Sequence, residues 1–237
     1  VMSIVIGAWI YRRLPETLAP EDVLLFSPSV MARSWAAVAT HRSATAYMLA
    51  SAIAVGANFG FLNSSQQIIA GHFGRADIFP IAFACVAGGL AVANYSNAKL
   101  VLRFGARRVS QTALLSFIIL SVVQWWLAGK GETLPVFIAI VTLNMSMVGF
   151  IAANFSSIAM EPFGHIAGTA SSFQNAVRTF VAAGLGVVIG QAYDGSTVPL
   201  AQGYLVCGAV ALLVILWGER GRLFTRPNPP SLPIPRA

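Results

Sequence analysis

Arg178 is the strongest chemical signal in this chain. It is the one charged residue within the run from Pro162 to Tyr193. If that run is a helix, the guanidinium sits about 12 residues, or about 18 Å, along it. A charge that deep in apolar sequence is costly and is retained where it faces a cavity, a partner or a ligand. The nearest acids in sequence are Glu161 and Asp194. Along a helix axis they lie about 24–26 Å away, too far to pair. Arg178 must then meet a carboxylate from other sequence, an anionic or polar ligand, or backbone carbonyls and water. The plainer alternative is an Arg whose stem lies on apolar surface while its head snorkels outward.

One turn before Arg178 stands Gln174, and a turn earlier Ser171. Residues at i, i+4 and i+7 share a helix face. Asn144, Met147, Ile151 and Asn154 repeat that spacing in a second run, and Tyr47, Ser51, Asn58, Leu62 and Gln66 in a third. Taken singly, such amides and hydroxyls serve equally well as hydrogen bonds between helices, worth about 0.6 kcal/mol each. Taken together, the three stripes are expected to line one aqueous cavity, with Asn58, Asn144 and Arg178 facing a common hollow.

No reactive constellation accompanies these stripes. His41, His72 and His165 are far apart and lack metal-ligand spacing. Cys85 and Cys207 lie inside apolar runs and read as small buried hydrophobes, not as a disulfide or metal pair. GxSxG, P-loop and GxGxxG patterns are absent from the sequence. The expectation is a protein that is not an enzyme and uses no metal or organic cofactor. Polar stripes without reactive groups suit moving a solute rather than transforming it.

The elements that hold these residues follow from composition. Of 237 residues, 57% are hydrophobic and only 10% charged, with a mean hydropathy of +0.73. Soluble domains carry about 25% charged residues, so a soluble or disordered chain is excluded. A membrane-spanning helix needs about 20 apolar residues. Runs over 44–70, 78–99, 109–129, 133–158, 166–192 and 197–217 meet that length. They lack the alternation of barrel strands, so an all-α membrane protein is expected.

The net charge of +7 does not imply a nucleic-acid partner, because the cations are short clusters between apolar runs rather than one solvated face. The partner they suit is the lipid bilayer. With alternating spans and segment 12–43 placed in the cytoplasm, twelve of the 15 Lys and Arg residues fall on the cytoplasmic side, and Arg75 and Lys130 on the other. That asymmetry satisfies the positive-inside rule and puts the C-terminus in the cytoplasm too. Residues 1–11 are apolar but too short to span and are preceded by no basic stretch, so they read as the end of a truncated helix. Segment 12–43 is expected to be a cytoplasmic loop. Ser27 and Pro28 suit a helix start. Residues 29–41 then form either a surface helix, with Met31 and Trp35 inward and Arg33 outward, or an unstructured linker. The tail over 218–237 is Pro-rich from Thr225 and not helical. Ala182, Gly186 and Gly190, and Ala84 and Gly88 with Gly89 alongside, mark faces for close helix packing.

Several stretches resemble a known family. Leu14-Pro15-Glu16-Thr17-Leu18 resembles the sequence that follows the sixth helix of major facilitator superfamily transporters. Asn97-Ala98-Lys99-Leu100-Val101-Leu102-Arg103-Phe104-Gly105-Ala106-Arg107-Arg108 resembles the repeat of that superfamily's signature loop. The stretch from Glu161 to Gln174, and Tyr193-Asp194-Gly195-Ser196-Thr197-Val198-Pro199, resemble the drug/proton antiporter branch, most closely the bicyclomycin-resistance and chloramphenicol-efflux group (Bcr/CflA).

The resemblance implies the six-helix C-terminal bundle of a twelve-helix fold in the bacterial inner membrane, preceded by the end of one helix and partnered by an N-terminal six-helix half. It implies a proton-coupled multidrug efflux antiporter working by alternating access, powered by the proton gradient, with a small amphipathic drug-like substrate. Two of the three stripes, on 44–70 and 133–158, fall on the helices that line the cavity in that fold. Lys99, Arg103, Gly105, Arg107 and Arg108 form its cytoplasmic gating loop, where the arginines either bond the negative C-terminal ends of neighbouring helices or only fix topology. The superfamily pattern carries an Asp in this loop and this copy has none. No deep carboxylate occurs here either, and the resemblance places the coupling acids largely in the other half. The alternatives are an importer of a small metabolite with the same fold and a truncated membrane protein that transports nothing.

Overall fold

The computed structural model describes residues 2–13 and 28–224. The chain divides into two units, residues 1–33 and residues 34–237. The first holds α1 (Met2–Arg13), with Val5, Trp9 and Tyr11 exposed, and the opening of α2 (Pro28–Thr40). The stretch Leu14 to Leu18, the Ser27 cap and the tail from Thr225 lie outside the described residues.

The second unit contains six helices long and apolar enough to cross a membrane, as a multi-pass membrane protein requires. They are α3 (Arg42–Gln66), α4 (Phe79–Phe104), α5 (Ala106–Ala128), α6 (Leu134–Met160), α7 (Ala167–Gln191) and α8 (Val198–Gly218). Local chemistry sets their starts. His41 caps α3, its Nδ1 accepting from the Ala44 N–H at 3.3 Å. Pro80, Pro135 and Pro199 stand in the first turns of α4, α6 and α8, where a missing N–H costs nothing. The arginine segment expected to be a loop is almost wholly helical. α4 continues to Phe104 and α5 begins at Ala106, so the reversal rests on Gly105 alone, at φ +85° and ψ 150°, backbone that only glycine adopts freely. At its far end α3 closes in a π-helical turn, Gln67–His72.

α3 is the central helix and packs on α6, α7 and α8, while α6 packs on α3, α4 and α5, and α5 meets α8. Among the main contacts this pattern is unchanged when α3 is exchanged with α6, α4 with α7 and α5 with α8. Each of these sets has three spans, so the second runs through the membrane inverted relative to the first. The central position of α3 shows in its burial: 61% of its most apolar window is inside the protein, against 17% for α4 and 22% for α7.

Between membrane helices the hydrophobic effect contributes little, and close van der Waals packing takes its place. Gly56 and Gly60 of α3 lie against Leu185 and Ile189 of α7, and Gly186 and Gly190 of α7 lie against Phe59 and Asn63 of α3. A Cβ added at Gly186 would stand 2.5 Å from that of Phe59. On α4 the close approach is made by Gly89, against Thr142 and Ser146 of α6. Gly88 meets no neighbour and Ala84 is exposed, which corrects the expected Ala84–Gly88 face: the contact lies one position round the helix.

Candidate functional site

The three stripes do not converge. α6 is enclosed by three helices, and its stripe is shared among them. Asn144 is fully buried and turns to α5, its Nδ2 donating to Gln124 Oε1 at 2.7 Å. Asn154 turns to α4, its Nδ2 donating to Asn97 Oδ1 at 2.7 Å. Met147 lines a groove with α4 and α5, and Ile151 is buried in the core. On α3, Tyr47 accepts a hydrogen bond from Gln111 Nε2 of α5 at 2.9 Å, and Ser51 donates to the Ala152 carbonyl of α6 at 3.3 Å. Asn58 is half-buried, whereas Leu62 and Gln66 are exposed. The common hollow expected for Asn58, Asn144 and Arg178 is therefore corrected: Asn144 is bonded to α5, Arg178 to Asn175 of its own helix, and Asn58 stands half-buried on α3. Spacing identifies residues that share a face; it does not say which neighbour covers that face.

α7 divides its residues among three directions. Gln174 is buried and donates to Ser156 Oγ of α6 at 2.7 Å. Ala176, Phe180, Ala183 and Val187 form an exposed apolar strip, with Phe180 83% exposed. Between them runs a polar strip of Ser171, Asn175, Arg178 and Thr179. Arg178 is half-buried, and its guanidinium donates to Asn175 Oδ1 at 2.9 Å. Among the described residues it has no carboxylate partner. Asn175 lies off the i, i+4 series through Gln174, and its spacing of three from Arg178 is what puts the two on one face. In depth, Arg178 precedes Leu185, the residue on Gly56, by about 10 Å. It thus stands well inside the span, on the polar outer strip of one of the two least buried helices.

The basic end of the bundle carries a second constellation. Arg107 of α5 bonds Glu161, just past α6, at 3.2 Å and Glu219, just past α8, at 3.3 Å. Its guanidinium also lies 5.7 Å from the centre of the Tyr47 ring. Three helix ends are tied to one side chain. The carboxylates missing from the arginine segment are supplied by those helix ends, a pairing that sequence distance conceals. Arg42 donates to the Trp217 carbonyl at the end of α8 at 2.9 Å, satisfying one of the orphan acceptors there. Lys99 lies over the Tyr95 ring at 4.8 Å and Arg103 over Phe104 at 5.3 Å. Arg108 is exposed at the mouth of the groove that Met147 lines.

At the opposite end His72 Nδ1 meets the Gly195 carbonyl at 2.8 Å, and Asp194 accepts from the Ser196 N–H at 3.0 Å and hydroxyl at 2.7 Å, which holds its carboxyl below the usual range. Both carboxylate oxygens of Glu132, in the α5–α6 turn, are shielded from solvent. The Thr197 hydroxyl approaches without completing a hydrogen bond. Burial pushes this carboxyl above its ordinary range, against Thr197 and His72, which pull the other way. No group of three or more His, Cys, Asp or Glu placed to hold a metal ion occurs among the described residues. No family model, curated protein or solved structure matches this chain.

Proposed function

We propose that this chain is the C-terminal half of a secondary active transporter, a proton-coupled multidrug efflux antiporter that works by alternating access. The observation that carries the reading is the polar outer strip of α7, with Arg178 and Asn175 at its middle. Lipid cannot satisfy a guanidinium at that depth, so the strip calls for water, a ligand or another protein surface. A second six-helix bundle set against it would enclose an aqueous pathway between the halves, and an amphipathic substrate would cross there.

The exchange-invariant packing of the six helices supports the same reading. Inverted three-helix repeats are a recurrent architecture of transporters whose halves rock about a midplane site. The Arg107–Glu161–Glu219 tie has the character of a latch, joining the ends of α5, α6 and α8 by bonds that can break as a set. On this proposal it lies on the cytoplasmic side, where the positive-inside rule places the basic end. This half supplies cavity wall and latch, while the proton-carrying acid belongs to the other half.

The test is drug tolerance conferred by the full-length protein in a bacterial host stripped of its own efflux pumps. Tolerance to amphipathic drugs should rise, and a protonophore should abolish the accompanying drug efflux. Arg178→Ala should remove the effect at unchanged membrane abundance. A host no more tolerant than the empty control, with the protein present in the membrane, overturns the reading.

A further inference from the structure

We propose that the groove between α4 and α5 binds one anionic phospholipid, headgroup at the basic end and an acyl chain along α6. α4 and α5 both pack on α6 but touch each other little. The gap left between them is an open groove of about 500 Å³ near the Gly105 reversal, lined by Phe104 and Arg108 on either side of that turn. Its floor is apolar, made by Met147 and Phe150 of α6, and Leu100 of α4 forms a wall. Phe224 closes its upper edge, pinned there by its N–H, which donates to Gln111 Oε1 at 2.6 Å.

The polar side chains of the groove stand in the order of a phospholipid's own chemistry. All three lie on α5, at positions 108, 112 and 116, one face of that helix. Arg108 is at the membrane surface, where a phosphate sits. Thr112 lies about 6 Å deeper and Ser116 about 12 Å deeper, at the level of glycerol esters and the first methylenes. Beyond them only apolar side chains continue. An apolar drug would find no use for this graded order, and a soluble phosphate would leave the apolar floor bare.

Charge selects the class of lipid. Arg107 is bonded by two carboxylates, Glu161 and Glu219, a triad of one net negative charge, whereas the three cations Lys99, Arg103 and Arg108 form no ion pair among the described residues. Arg108 lines the groove, and with Lys99 and Arg103 near the end of α4 it favours a net negative headgroup over a zwitterionic one. Basic pockets between membrane helices recognise anionic lipids in this way.

The experiment measures unfolding of the delipidated, detergent-solubilised protein while phosphatidylglycerol or phosphatidylcholine is titrated in. Phosphatidylglycerol should raise the unfolding temperature saturably, and phosphatidylcholine should not. Arg108→Gln should weaken the apparent phosphatidylglycerol affinity about fivefold, the loss of one cation near the surface. Lys130→Gln, the same charge change at the opposite end of α5, should leave it unaltered. Thr112→Trp, which fills the groove, should remove the saturable rise, and native mass spectrometry should show that this variant no longer carries lipid through purification. Equal rises with both lipids, or an Arg108→Gln protein indistinguishable from wild type, overturns the proposal. So does a saturable rise that survives Thr112→Trp but vanishes when residues 225–237 are deleted, which would assign the groove to the tail.

Discussion

Burial of the Glu132 carboxyl gives the protein a pH dependence with a definite sign. Its folded pKa lies above the unfolded value, which is about 4.3 for a free glutamate. Between those two values the folded state holds a proton that the unfolded state has lost, so stability falls as pH rises through that window. Glu132→Gln should flatten this fall and raise the unfolding temperature at pH 7. A variant whose unfolding temperature tracks wild type across the whole range would show that the carboxyl is free to reach water. Arg178 makes the complementary case. Its depth and its want of an acid were legible in the sequence, because a lone charge in an apolar run needs no neighbour to be noticed. The true partner, Asn175, is a neutral residue of its own turn.

At the scale of the helices, two ties can be separated by substitution. Arg107 and Glu219 are both largely buried, with side chains 16% and 14% exposed, whereas Glu161 is 50% exposed. Glu219→Gln removes the buried partner and leaves Arg107 only the exposed Glu161, so it should cost about 2 kcal/mol. Glu161→Gln should cost less than about 1 kcal/mol. Equal losses would mean that Arg107 does not discriminate between them. The α3–α7 seam offers a second contrast. Gly186→Ala forces a Cβ against Phe59 and should destabilise by about 1–3 kcal/mol. Gly184→Ala meets open space on the same helix and should be neutral or stabilise by up to about 1 kcal/mol. If both were neutral, the α3–α7 seam would not be closely packed at Gly186. Helix number and most boundaries were legible because charge-free runs of the right length can only be spans. The facing of each stripe was not. Asn144 and Asn154 are ten residues apart on one nominal face, yet they bond α5 and α4 respectively, since a helix with three neighbours spreads one stripe over all of them.

For the molecule as a whole, the six-helix bundle pairs the buried amides of Asn97, Asn144 and Asn154, leaves Gln124 Nε2 without a partner, and leaves α4 and α7 little covered. Their neighbours α3 and α6 are filled by contacts on several sides, so the sparse burial is a property of the outer pair and of the exchange that relates them. A full-length transporter would carry five more complete spans and the first part of a sixth, with a deep Asp or Glu among them. Its coding sequence checks this directly, and a soluble domain in that place would exclude the transporter reading. Thiol labelling on α7, in a background with Cys85 replaced by Ser, asks whether the polar strip borders water. Asn175→Cys, on the polar strip, should react in intact membranes with a hydrophilic maleimide, and substrate should protect it. Phe180→Cys, on the apolar strip of the same helix, should stay unlabelled. If both positions were inert to the reagent, or both reacted alike without protection by substrate, the strip would not border an aqueous pathway and the account would fail.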